Sequence, residues 1–307
     1  MPVFNSILDM IGNTPMVRLN RIVPEGAGTV YAKLEQFNPS GSVKARAAYA
    51  MITAAEEAGK LKPGMVLAEA TSGNLGLAVS MVGAVKGYRV VLFVEENDRI
   101  DVFMKSSRSL GAEMVFTENF EMAVHLAAQF AKDDPNVFVL SQFTNPANPR
   151  IHAETTAREI VRDAGPRLRA FVASFGSGGT FTGVSSYLKA HHPDVEVVLA
   201  EPEGAPLFSG GPMGCSKIHG VGPTFKPAIM EGVQIDTIVS VSLESADATR
   251  ARLAREEGIF VGPSSGAIAS VAVSVAARYK PDDIIVAVLP DDGNRYINFA
   301  GIPEVQS

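Results

Sequence analysis

Short apolar, β-branched runs alternate with longer segments of helical periodicity along most of the chain. The short runs predict buried strands, and the longer segments predict helices that cover them. Strands are predicted at residues 30–34, 66–70, 89–94, 113–116, 137–140, 170–174, 195–198 and 284–288. Helices are predicted at residues 42–58, 77–86, 102–110, 120–132, 151–163, 182–191, 246–257 and 267–279.

This order of elements is typical of parallel sheets that are covered by helices on both faces. The alternation runs once before Pro149 and starts again near residue 170. We therefore predict an α/β protein with two doubly wound lobes and mainly parallel sheets. Ligands of such folds bind at the carboxyl ends of the strands, where loops and helix N-termini meet.

Composition narrows the class of protein further. The chain has 307 residues, a net charge of −6 and no long basic run, so nucleic acid and anionic membranes are not expected partners. No apolar run reaches the roughly 20 residues that cross a bilayer. A single cysteine, Cys215, excludes an internal disulfide and a cysteine-based metal site. The first residues lack the layout of a signal peptide, and we expect a cytoplasmic protein.

The sequence NPSGSVK, residues 38–44, places a lysine at the start of a predicted helix. A helix N-terminus carries partial positive charge, so a cation at Lys44 is mildly unfavourable. An amine bound as an imine, beside an anion held by backbone amides, avoids this conflict. Pyridoxal phosphate (PLP) supplies both an aldehyde and a phosphate. The alternative is a solvated lysine next to a helix that Ser40 or Ser42 caps.

A second loop, TSGNLG at residues 71–76, follows a predicted strand and opens a helix. Amides at a helix N-terminus point outward and can bind an anion, so this loop is a candidate site for a substrate carboxylate. Ser and Asn are also common helix caps, and the pattern alone leaves that alternative open.

A third loop, GSGGT at residues 176–180, also joins a strand to a helix. Glycines allow the backbone to approach an oxyanion, and the hydroxyls add donors, which favours a phosphate site. A dinucleotide motif would need glycine at position 181, where the chain has Phe181, although Glu201 ends a later strand as a ribose-binding acid would. Dinucleotide binding would also leave the Lys44 loop unexplained.

A fourth loop, GPSSG at residues 262–266, matches the GxSxG turn of hydrolases. Those enzymes need a histidine after the serine, and the last histidine of this chain is His219. The chymotrypsin order of histidine, acid and serine is not excluded by order, but it belongs to another fold. A tight turn with a capping serine remains the simple alternative.

Taken together, these loops resemble the β-family (fold type II) of PLP-dependent enzymes, and within it the cysteine synthases of the B type. The resemblance extends from IGNTP at residues 11–15, through QFTNPANP at 142–149, to PDDGNRY at 290–296. It implies a smaller lobe of residues 37–148 with a mobile part at about 90–130, a larger PLP-binding lobe of residues 12–36 plus 149–307, and an N-terminal arm of residues 1–11.

The same resemblance implies roles for individual residues. Lys44 would bind PLP covalently and move the proton at the substrate Cα, Asn74 would contact the 3′-oxygen of PLP, and Ser264 would meet its ring nitrogen. The expected phosphate-binding residues are Gly176, Ser177, Gly178, Gly179 and Thr180. The expected substrate-binding residues are Thr71, Ser72, Gly73, Gln142 and Gly220.

The expected reaction is β-replacement on an activated L-serine, O-acetylserine or O-phosphoserine, through α-aminoacrylate, with sulfide as the nucleophile and L-cysteine as the product. A serine at the ring nitrogen makes PLP a weaker electron sink than a carboxylic acid would, which favours loss of a β-leaving group. Alternatives are a 2,3-diaminopropionate-precursor synthase, a lanthionine- or cystathionine-forming enzyme and a cysteine desulfhydrase. The family also implies a homodimer and serine acetyltransferase as a possible partner.

Several positions depart from the family pattern, and they concern substrate recognition. Ala45 stands where an acid is usual, Leu75 where threonine is common, and His219 where glutamine is frequent. Residues 97–103 lack the usual pair of arginines. PLP binding is expected regardless, whereas the leaving group and the nucleophile stay open.

Overall fold

The computed structural model describes residues 3–71, 73–96, 101–211, 214 and 216–297, with the backbone alone at Asp101. Ser72, residues 97–100 and Cys215 lie outside the described residues, and so do the predictions made for them. The chain divides into two compact units. The smaller comprises Met1–Ile11 and Asn38–Asn148, and the larger comprises Gly12–Phe37 and Pro149–Ser307. The predicted lobe boundaries and mobile part stay predictions.

The strands are β1 Met16–Arg18, β2 Thr29–Leu34, β3 Val66–Ala70, β4 Arg89–Glu95, β5 Glu113–Thr117, β6 Val137–Val139, β7 Leu168–Ala173, β8 Glu196–Pro202, β9 Thr237–Val241 and β10 Ile284–Leu289. The helices are α1 Lys44–Glu57, α2 Asn74–Lys86, α3 Asp101–Ser109, α4 Phe120–Asp133, α5 Ala147–Ile151, α6 Ala157–Ala164, α7 Gly179–His191, α8 Leu243–Glu257 and α9 Pro263–Ala276. A π-helical turn, His152–Thr156, joins α5 to α6.

The sheet of the smaller unit has the order β5-β4-β3-β6, and all of its pairings are parallel. Every residue of β3 is buried, as expected of the centre of a parallel sheet. Val66, Ala68 and Ala70 pack with Ala123 and Ala127 of α4. Because side chains alternate along a strand, the residues between them face the opposite side of the sheet.

The sheet of the larger unit has the order β1-β2-β10-β7-β8-β9, with β1 antiparallel and the other pairings parallel. Strand β10 shows why helices cover both faces. Ile285 and Ala287 pack in one core cluster with residues of α8 and α9, whereas Val286 and Val288 pack in another with residues of α6 and α7. The predicted α/β class with mainly parallel sheets is therefore confirmed.

A buried ion pair ties the first segment of the larger unit to α6. The Nζ of Lys33, a fully buried side chain, lies 2.7 Å from Glu159 Oε2 and donates to the carbonyl oxygen of Thr14 at 2.7 Å. The backbone amide of Asn13 donates to the other oxygen of Glu159 at 3.0 Å. The Thr14 hydroxyl donates to Glu35 at 2.7 Å, so residues 13–14 are held by two buried acids.

The predicted long helix at residues 151–163 is instead α5, the π-helical turn and α6. The widened turn lies where α7 comes very close: a Cβ on Gly183 would be 2.1 Å from the carbonyl oxygen of Pro149. Periodicity did not predict this turn, nor the short strands β1 and β9. Among the described residues, no helix has the length and apolarity to cross a membrane.

Candidate active site

Lys44 is the first residue of α1, and its side chain is half-buried. Val43, at the N-cap, makes no side-chain cap bond. The amide of Lys44 donates to Ser42 Oγ at 3.3 Å, so Ser42 satisfies one of the free amides of this helix end. The structure thus places the lysine at a helix N-terminus, in the position whose electrostatics singled it out in the sequence.

The loop between β3 and α2 is organised by Thr71. Its Oγ1 accepts the amides of Gly73 at 3.2 Å and Gly76 at 3.0 Å. A Cβ on Gly76 would lie 2.6 Å from Thr71 Cγ2, so glycine is needed for this contact. Gly73, the N-cap of α2, makes no side-chain cap bond, and the hydroxyl that accepts these two amides belongs to Thr71. A hydroxyl that accepts in this way still has one proton to donate, so capping does not exclude contact with a carboxylate.

Asn74 begins α2, and Gly73 is its N-cap. The nearest atoms to a Cβ on Gly73 would be those of the Phe103 ring, at 3.5–3.6 Å. Phe103 is 3% exposed, so α3 supplies an apolar wall next to the loop.

Gln142 follows β6 in the same unit and is 7% exposed. The backbone amide of Gln142 donates to Glu69 Oε1 at 3.3 Å, and the backbone amide of Ser141 donates to Glu69 Oε2 at 2.8 Å. Glu69 was not predicted from the sequence. The signal was a lone acid inside VLAEA, an otherwise apolar strand that leads directly into the TSGNLG loop.

Glu69 has a strongly altered acidity. Burial raises its pKa, and the backbone amides of Ser141, Gln142 and Leu140 together with the charge of Lys44 lower it; the result is a pKa of about 7. The lysine therefore lies within electrostatic reach of this carboxylate. In the smaller unit the structure brings together Lys44, Glu69 and the Gln142 loop.

The GSGGT loop lies in the larger unit between β7 and α7. Gly178 has a φ of 89° and is the N-cap of α7, so its left-handed conformation favours glycine. A Cβ on Gly176 would lie 2.8 Å from the carbonyl oxygen of Gly220, which explains the glycine at this close approach. The free amides of the first turn of α7 and the hydroxyl of Thr180 form a cradle for an anion.

Thr180 is linked to the π-helical turn by His152. The imidazole Nε2 lies 3.3 Å from Thr180 Oγ1, and Nδ1 lies 2.9 Å from Thr156 Oγ1. His152 is 1% exposed and thus fixes the rotamer of a candidate phosphate ligand. The sequence carried no signal for this residue, because the π turn that aims it was not predicted.

Ser264 lies in the first turn of α9 and is 4% exposed. A Cβ on Gly220, whose φ is 87°, would be 3.8 Å from Ser264 Cβ, so the two predicted contacts are neighbours. A Cβ on Gly262 would lie 2.3 Å from Asp291 Oδ1. In the larger unit, Gly176, Gly220 and Ser264 therefore occupy one region.

The residues of the larger unit fit a phosphate-bearing cofactor such as PLP. The hydroxyls of Ser174, Thr182 and Ser265 are buried and have no hydrogen-bond partner among the described residues. Buried hydroxyls normally have partners, so these three remain available to a polar ligand. The donors are backbone amides and hydroxyls, which bind a phosphate without covalent chemistry.

The family model described as pyridoxal-phosphate dependent enzyme matches residues 7–291, and the chain belongs to this family. A probable cysteine synthase of Bacillus subtilis is 46% identical over 299 residues, which are 94% of this chain and 95% of that relative. The O-ureido-L-serine synthase of Streptomyces lavendulae is 42% identical over 310 residues, 99% of this chain and 95% of that protein.

The solved structure of an O-acetylserine dependent cystathionine beta-synthase from Helicobacter pylori superposes with a TM-score of 0.92. It is 32% identical and covers 99% of this chain and 100% of that one. The predicted family and its cofactor class are therefore confirmed: the protein is a PLP-dependent enzyme.

Proposed function

We propose that the protein joins sulfide to the β-carbon of an activated L-serine and releases L-cysteine. O-acetylserine and O-phosphoserine are the proposed substrates. The observation that carries the proposal is Lys44 at a helix N-terminus, in one unit with the TSGNLG loop and Gln142. The similarity to cysteine synthases supports it as well.

The proposed cofactor contacts are those that the family resemblance implies. Lys44 binds PLP covalently and Asn74 contacts its 3′-oxygen, while Ser264 meets the ring nitrogen. The phosphate is held by Gly176, Ser177, Gly178, Gly179 and Thr180. Bound PLP supplies an electron sink that makes the substrate Cα–H bond acidic.

The proposed substrate contacts bind the α-carboxylate. They are Thr71, Ser72, Gly73, Gln142 and Gly220. Amides at the start of α2 and the proton of the Thr71 hydroxyl are suited to this anion. The buried environment of Gln142 strengthens its hydrogen bond, because few water molecules compete for the carboxylate there.

Lys44 is the proposed base and acid of the reaction. With its amine released from the cofactor by the substrate amine, Lys44 would remove the α-proton. The Cα–H electron pair then forms the Cα=Cβ double bond, while the Cβ–O bond breaks and acetate or phosphate leaves with the electron pair of that bond. The sulfur of the nucleophile then forms the Cβ–S bond, and Lys44 returns the proton to Cα. One proton thus leaves Cα and one returns, and no oxidant or reductant is needed.

We also propose a cytoplasmic homodimer, with serine acetyltransferase as a possible partner. The single cysteine supports a reducing compartment. Size-exclusion chromatography with light scattering tests the dimer, and a pull-down with the acetyltransferase tests the partner.

The first test is a visible absorbance titration of the purified, PLP-loaded protein. We expect the yellow band of lysine-bound cofactor to shift when O-acetyl-L-serine is added and to return when sulfide is added, while L-cysteine accumulates. Lys44→Ala should lose the turnover. A band that does not respond to O-acetyl-L-serine or O-phospho-L-serine would contradict the proposal.

A second candidate product is O-ureido-L-serine. The relative with that activity is 42% identical over nearly the full chain, and Leu75 marks a departure in the carboxylate loop. Competition between sulfide and hydroxyurea for O-acetyl-L-serine separates the two functions. A higher kcat/KM for hydroxyurea than for sulfide would favour O-ureido-L-serine synthesis over L-cysteine synthesis as the function of the protein.

A further inference from the structure

Glu69 holds the loop that carries Gln142. It lies in β3 and is 2% exposed. Its two carboxylate oxygens accept successive amides, Ser141 at 2.8 Å and Gln142 at 3.3 Å. Successive amides that converge on one anion form a concave site, and here the protein supplies the anion itself.

This loop needs such support because its backbone is strained. Ser141 has a φ of 58°, a left-handed conformation that is unfavourable for a residue with a Cβ. The side chain of Asn145 donates to the Leu140 carbonyl at 2.8 Å, and that of Asn148 donates to the Gln142 carbonyl at 2.9 Å. The side chains of Asn145 and Asn148 therefore bind backbone carbonyls of this loop. The carboxylate of Glu69 binds two of its backbone amides.

The same carboxylate is coupled to Lys44. Burial raises the pKa of Glu69 and the lysine charge lowers it, so the two groups interact electrostatically. Burial and the backbone amides of the Gln142 loop are larger influences on the pKa of Glu69 than Lys44, so the role of Glu69 rests on its hydrogen bonds to this loop.

We propose that Glu69 is a positioning residue for the amino-acid substrate: by binding the Ser141 and Gln142 amides, it aims the Gln142 side chain at the substrate α-carboxylate. Glu69 itself does not touch the substrate. The inference rests on the proposed function, which assigns Gln142 to that carboxylate. If the role of Glu69 were purely structural, it would stabilise the protein without changing the affinity for an amino acid.

The test uses the PLP-loaded protein with Glu69→Gln. The glutamine keeps the size of the side chain, but its NH2 group opposes one of the two amides instead of accepting from it. Glu56→Gln is the matched control, because Glu56 is a partly exposed acid of the same unit that accepts from Lys86 and Tyr88 at 2.7 and 2.8 Å. If Glu69→Gln does not fold, Glu69→Asp serves as the second variant.

The first measurement is residue-resolved hydrogen–deuterium exchange. Loss of one acceptor should speed exchange at Ser141 or Gln142 by about tenfold or more, since an unsatisfied amide costs about 1–3 kcal/mol. Glu56→Gln should leave these amides unchanged. Unchanged exchange at both amides in Glu69→Gln would overturn the proposal that Glu69 holds this loop by hydrogen bonds.

The second measurement is the dissociation constant of L-serine, read from the cofactor absorbance. L-Serine has the α-carboxylate but no activated leaving group. We expect it to bind about tenfold more weakly to Glu69→Gln and unchanged to Glu56→Gln. In a Gln142→Ala background, Glu69→Gln should have no further effect. An unchanged dissociation constant, or a full additional loss in that background, would overturn the positioning role.

The two hypotheses fail in different ways. A wild-type protein that binds L-serine but makes no L-cysteine would contradict the proposed function alone, because exchange and L-serine binding would still decide the role of Glu69. A wild-type spectrum that does not respond to L-serine would overturn both.

Discussion

Replacing Lys33 by methionine should destabilise the larger unit by about 3–5 kcal/mol, the usual cost of removing one partner of a buried pair. The two charges are 2.7 Å apart, and the side chains of Lys33 and Glu159 are 0% and 7% exposed. At an effective dielectric constant of about 20, the Coulomb attraction is roughly 6 kcal/mol. The variant loses this attraction and leaves the Glu159 charge in a buried site.

Urea unfolding measures this loss. Far-UV circular dichroism is the suitable probe, because the chain contains no Trp. Excess PLP should be present throughout, so that cofactor binding does not differ between variants. The change in unfolding midpoint, at unchanged slope, gives the loss of stability.

A double-mutant cycle tests the physical reasoning. Glu159→Gln should cost a similar amount, since it leaves the Lys33 ammonium buried, and the double variant should cost less than the sum of the two. The matched control is Arg89→Gln. Its partner Glu113 lies at the same 2.7 Å, but both side chains are more than half exposed. This control should change stability little, and less at high salt. Additive losses, or a loss below about 1 kcal/mol for Lys33→Met, would refute the reasoning.

Two further predictions concern the phosphate loop and Glu69. Gly178→Ala should weaken PLP binding, because the new Cβ would lie 2.3 Å from Met230 Cγ at a backbone φ of 89°. Gly210→Ala is the control, since Gly210 has a φ of 83° but nothing within 4 Å of a Cβ, and it should leave PLP binding unchanged. Equal PLP affinities of the two variants in an absorbance titration would contradict this prediction. The pKa of Glu69 rises from 4.5 to about 7, so the folded protein binds the extra proton between these values. Its stability should therefore fall by about 3 kcal/mol as pH rises through this window, and Glu69→Gln should lack this component. Equal urea midpoints between pH 5.5 and pH 8 in the wild type would contradict it.

The sequence predicted the fold well where local pattern decides the structure. Buried parallel strands are apolar over their whole length, and the predicted strand at residues 66–70 agrees with β3. Strand β1 was missed, since only three residues form it and two of them are exposed. Helix α7 starts at Gly179, before the predicted residue 182, because glycines at the helix N-terminus weaken the helical pattern.

The candidate site was only partly readable from sequence. Loops between a strand and a helix are rich in glycine, serine and threonine, and the candidate site residues in these loops were predicted from that pattern. Glu69 and Lys33 were missed because their partners lie far away in sequence. His152 was missed because the π-helical turn that aims it at Thr180 was not predicted. A lysine in a strand is ordinarily solvated, and only the fold brings Glu159 to Lys33.

The order of strands in the larger sheet has a consequence for synthesis of the chain. Among the strands that the structure describes, β10 is made last, yet it lies between β2 and β7. Until residues 284–289 leave the ribosome, both neighbours present open edges that can pair with other chains. The smaller unit draws its sheet from the continuous segment 38–148 and can close earlier. We therefore expect chains that stop before Ile284 to keep a folded smaller unit and to aggregate through the larger one.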